Sequence, residues 1–250
     1  MKKLLLSAVL ILTCLTGFAQ RFTSQDFVFV GQEHNQYLDK VYNYIVSNNL
    51  SGRGTLDRAK DYLISQNNAS SYSESCKRQG VININQNIRA FGRLANLYPG
   101  TSGSQLSSAE RQYLDQLYTV VVNETLSVAD FKNRVTAIEG RINTDTSLNN
   151  TQLATLYSAT NVAKYSYEYW SANSQRWSQL DGPQADAARA CCGDGVGGAD
   201  VGGAVGAAVT TWAANAVPGA GQIGYGGAIV VGAAAASLGK AFENLVNSWF

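Results

Sequence analysis

Between Val201 and Gly239 the chain runs for 39 residues without a charged side chain, and 27 of the 47 residues from Gly193 to Gly239 are glycine or alanine. Of the 24 glycines in the protein, 14 fall in that interval. No other feature limits the fold so much. Glycine inside a helix costs about 1 kcal/mol relative to alanine in water, so a segment this rich in it is a poor autonomous helix. Something has to order it: a lipid bilayer, its own second arm, or the rest of the chain.

Val217-Pro218-Gly219-Ala220-Gly221 is a turn signal near the middle of the stretch. It divides the segment into two arms of about 17 and 18 residues, which read as a helical hairpin. On the first arm Gly198, Gly202 and Gly206 form a GxxxGxxxG row, and on the second Gly224, Ala228, Gly232 and Ala236 continue a small-residue row. Four-residue spacing puts each row on one helix face, where a second helix can approach to backbone contact. Both arms just reach the length of a membrane span. Glycine and alanine, however, offer far less apolar area than leucine, and Asn215 and Gln222 lie at the hairpin tip. Two occupants of that face are therefore weighed, a bilayer or second copy on one side and the chain's own core on the other. Beyond Lys240, Phe242, Leu245, Val246, Trp249 and Phe250 form an apolar stripe for a C-terminal amphipathic helix.

The other end of the chain has the layout of an export signal. Lys2 and Lys3 precede an apolar run from Leu4 to Leu15, and Thr16-Gly17-Phe18-Ala19 closes with a small-residue cleavage pattern. Cleavage after Ala19 leaves a mature chain starting at Gln20 in the periplasm, the cell envelope or the medium. Cys14 lies near the position of a lipidated cysteine, but Thr13 is bulkier than the residue wanted before it, so ordinary cleavage is the preferred reading. The mature chain keeps Cys76, Cys191 and Cys192. In an oxidising compartment they predict one disulfide from Cys76 to either member of the adjacent pair.

Residues 20 to 190 carry helical spacing throughout. Leu38, Val41, Tyr42 and Ile45 form one stripe, and Ile84, Ile88, Phe91, Ala95 and Tyr98 another. Ser107-Ser108-Ala109-Glu110 is a capping box opening a helix with Tyr113, Leu114 and Leu117 inside. Ser127 caps the next, with Asp130 at its third position and Val128, Phe131, Val135, Ile138 and Ile142 as its stripe. A long helix follows from about Thr151 to Trp177. The expectation is an all-α fold: residues 1–19 a signal, 20–190 a bundle of five or six helices, and 191–250 the hairpin with its terminal helix.

The chemistry-bearing residues are few. A formal charge of +1 excludes a dominant basic footprint for nucleic acid. His34 is the one histidine, so a Ser-His-Asp arrangement would have to run through it. Placed near the start of a helix, it is a weak ligand candidate and more readily a hydrogen-bonded structural group. Walker, HExxH and GxSxG motifs are absent from the sequence. No catalytic residue, metal site or cofactor is expected, and the chain reads as a non-enzyme.

Three segments carry a resemblance. Val30-Gly31-Gln32-Glu33-His34-Asn35-Gln36-Tyr37-Leu38 resembles a VGxxHNxxL opening, Asn161 to Trp170 an xxAxYSxxYW helix, and Ala199 to Ala204 an ADVxGA tail. The combination is similar to uncharacterised exported proteins of the Bacteroidota type, which implies export and brings no catalytic residue. The tail alone resembles the GxxxG peptides of two-peptide bacteriocins, whose helices pair and permeabilise membranes.

Overall fold

The computed structural model describes residues 21–50, 55–66, 106–123 and 126–181. The signal segment, Cys14, the Ile84–Tyr98 stripe, Cys76, Cys191, Cys192, the hairpin rows and the terminal stripe lie outside the described residues.

The fold is all-α. A 3-10 turn, Ser24–Phe27, runs directly into α1, Val28–Ser47. Then come α2, Thr55–Gln66; α3, Ser108–Val121; α4, Val128–Thr144; and α5, Asn150–Ser178, ending in a second 3-10 turn, Gln179–Asp181. There is no strand among the described residues, and none of the described helices is long and apolar enough to cross a membrane.

The helix starts follow local chemistry. Ser107 accepts from the Glu110 amide while the Glu110 carboxylate takes the Ser107 amide and hydroxyl, so two end groups are satisfied reciprocally. Asn149 and Gln152 make the same exchange at the start of α5. Ser127 receives the Asp130 amide at the start of α4. At the end of α1 the chain turns through Asn49 in the left-handed region (φ 48°), and the Leu50 amide reaches back to the Ile45 carbonyl.

The central element is α5. Eleven consecutive residues, Leu153–Ala163, are buried on every side, which marks a core helix instead of an amphipathic surface one. Sequence reading gives a long helix there carrying Leu153, Leu156, Tyr157, Val162 and Ala163. Thr155, Ser158, Thr160 and Asn161 are buried as well, because the 3-10 turn, α1, α3 and α4 all pack on this helix.

The first and last described helices run parallel, in register. Phe27 packs against Tyr157, Gly31 against Asn161, Asn35 bonds to Tyr165, and Asp39 bonds to Tyr169. Each pair is separated by 130 positions and each step is four residues on both helices. The contact line therefore follows an i, i+4 row on each helix.

Two apolar cores sit at the ends of this line. One joins Phe27 and Val30 to Leu114, Leu117, Phe131, Val135, Ile138, Ile142, Leu153 and Tyr157. The other joins Leu38, Val41 and Ile45 to Ala59 and Leu63 of α2 and to Tyr169, Trp170 and Trp177 of α5.

Candidate functional site

Between the two cores the α1–α5 contact line turns polar, and the candidate residues meet there. Gly31 makes the line possible: a Cβ at that position would lie 2.4 Å from Tyr165 Cδ2 and 2.8 Å from the Asn161 carbonyl oxygen. Only glycine lets the two backbones come so close.

His34 is fully buried one turn further on, at 0% exposure. Sequence reading places it near the start of its helix. The structure puts it in the second turn, because the 3-10 turn feeds α1 from Val28, six residues earlier. Its Nδ1 lies 3.0 Å from Asn35 Oδ1, and Asn35 Nδ2 donates to the Tyr165 carbonyl at 3.0 Å. Since the Asn35 NH2 is committed to Tyr165, its Oδ1 is the acceptor and His34 Nδ1 carries the proton. The histidine is thus held in one tautomer within the seam. Among the described residues no group of three or more His, Cys, Asp and Glu side chains comes together as a metal site.

Towards the C-terminal end of the line, four side chains interlock. Tyr169 Oη donates to Asp39 Oδ1 at 3.0 Å and receives Arg176 at 2.7 Å and the Trp177 indole at 3.1 Å. Arg176 also pairs with Asp39, and its guanidinium lies 4.6 Å from the Tyr42 ring centre. Burial pushes the Tyr169 hydroxyl well above the ordinary tyrosine range, with the Asp39 carboxylate adding to the effect against Trp177 and Arg176. It remains a neutral phenol that spends its one donor and both lone pairs on neighbours.

At the other end, Glu139 is a buried carboxylate on the otherwise apolar inner face of α4. Its Oε1 accepts from Ser24 Oγ at 2.7 Å and from Thr160 Oγ1 at 2.7 Å, and Lys164 Nζ lies 2.8 Å away. Asn161 Nδ2 reaches the Ser24 carbonyl and hydroxyl, each at 3.1 Å. The charge is compensated on all sides, as a buried carboxylate requires.

Just before that, Arg21 closes the far end of α4. Its guanidinium donates to the carbonyls of Ile142 (3.2 Å), Asp145 (2.6 Å) and Leu148 (2.9 Å), and the Phe22 amide donates to Asn150 Oδ1 at 3.0 Å. These carbonyls terminate α4 and its loop, so a cation there also meets the negative end of the helix dipole. The outer face of α3 has a shallow open depression lined by Ser108, Arg111, Asp115 and Thr119; its walls come from one helix and bring no reactive pair together.

Sequence reading singled out His34 and the segments around Gly31 and Tyr165, which the structure packs against each other. It missed Arg21, Asp39, Glu139 and Arg176. Glu139 had a visible signal, since it lies four residues after Val135 on the α4 stripe. Arg21 had none, because its partners are more than 120 positions away. The hairpin rows, the cysteines and the signal segment are not among the described residues. Compared with known protein families, curated proteins and solved structures, the chain finds no match.

Proposed function

We propose that this is an exported, non-enzymatic protein of the Bacteroidota-like kind, in which a helical bundle carries a glycine-zipper hairpin that associates with a lipid bilayer or with a second copy of itself. The observation that carries this reading is the 39-residue uncharged stretch with its four-residue rows, Gly198, Gly202 and Gly206 on one arm and Gly224, Ala228, Gly232 and Ala236 on the other. Close helix pairing of this kind is what bacteriocin-like peptide pairs use in membranes. The bundle supports the reading by what its polar groups do. The one histidine is locked in the α1–α5 seam, and the Glu139 and Asp39 clusters tie helices together. These groups build a rigid carrier.

The test is flotation of the mature chain with liposomes, followed by a carbonate wash, with lipidation at Cys14 excluded by intact mass. Wash-resistant flotation that is lost in Gly202→Leu and Gly206→Leu is the expected result. Unchanged binding by both variants overturns the zipper.

The polar tip at Asn215 and Gln222 favours a second reading, a soluble envelope module whose hairpin completes its own core. That reading expects deletion of residues 193–250 to abolish cooperative melting of the remainder. A sharp transition in the truncated chain overturns it.

A further inference from the structure

We draw no further inference here: the strongest candidate, the buried face of α5 that carries the unpartnered Ser158 hydroxyl between Thr155 and Val162, is a stripe of small side chains, and nothing among the described residues shows what covers it.

Discussion

The Arg21 guanidinium donates to the Asp145 carbonyl at 2.6 Å across 124 positions of sequence. That bond joins the first described residue to the loop between α4 and α5. Two further carbonyls, of Ile142 and Leu148, share the same guanidinium. The loop is thereby shaped around a side chain from the other end of the domain.

Arg21→Ala therefore removes several charge-assisted bonds together and leaves carbonyls at the end of α4 without this donor. Hydrogen bonds involving a charged group contribute about 1.5–3 kcal/mol each, and bonds to one side chain are not additive. We expect a loss of about 2–3 kcal/mol in thermal or urea unfolding. Arg21→Lys should recover little, since a single ammonium cannot reach three separated carbonyls in a fixed fork. Full recovery by lysine would show that charge alone is at work.

Two glycines on helices predict opposite signs. At Gly31 an added methyl group meets the Tyr165 ring and the Asn161 carbonyl inside contact distance. The ring can turn aside, but the carbonyl belongs to the α5 backbone, so the helices must separate. Overpacking of this kind costs about 1–3 kcal/mol and outweighs the gain of about 1 kcal/mol in helix propensity. Gly140 has nothing within 4 Å of such a methyl, so Gly140→Ala should stabilise by about 0.5–1 kcal/mol. Urea midpoints of the two variants check this, and a stabilised Gly31→Ala would contradict the close approach.

The spacing of apolar residues and the capping residues made α1, α3, α4 and α5 legible, because both signals are local. Ser107 with Glu110, and Ser127 with Asp130, occupy their expected places. The arrangement of those helices was not legible. That Gly31 faces Asn161, and Asn35 faces Tyr165, depends on a register between segments 130 residues apart, which no local pattern encodes. The burial of polar residues was not legible for the same reason: Thr160 and Asn161 are held by Glu139 and Ser24, whose approach no local pattern encodes. His34 was legible as an isolated histidine and not as a seam residue, since its tautomer is set by how Asn35 is bonded across to α5.

Glu139 and Lys164 test how far that polar end of the seam is self-compensating. Lys164→Met removes the cation and leaves the carboxylate buried with only the Ser24 and Thr160 hydroxyls. Breaking one side of a buried pair costs about 3 kcal/mol or more. Adding Glu139→Gln to Lys164→Met removes the stranded charge, so the double variant should be more stable than Lys164→Met alone. A double-mutant cycle in urea measures the coupling directly. Additive losses would mean that the two charges do not depend on each other.

Asp145 predicts a pH response of definite sign. The Ser147 hydroxyl and then the Ser147 amide bond to its carboxylate, holding it below the ordinary aspartate range against the opposing effect of desolvation, with still smaller help from Tyr113 and Arg21. A carboxyl group with a lower pKa in the folded state than in the unfolded chain stabilises the fold above the unfolded value, about 3.9. That contribution fades as pH falls through the folded value, because the unfolded chain then takes up the proton first. Stability should accordingly fall on acidification below about pH 4, and Asp145→Asn should flatten this part of the profile while keeping the Arg21 bond, since Arg21 bonds the Asp145 backbone carbonyl and not its carboxylate. Carbon-detected NMR titration of the Asp145 carboxyl group reads the shift directly. A midpoint at or above that of an aspartate in an unfolded peptide would show that the turn to Ser147 does not hold the carboxylate in solution.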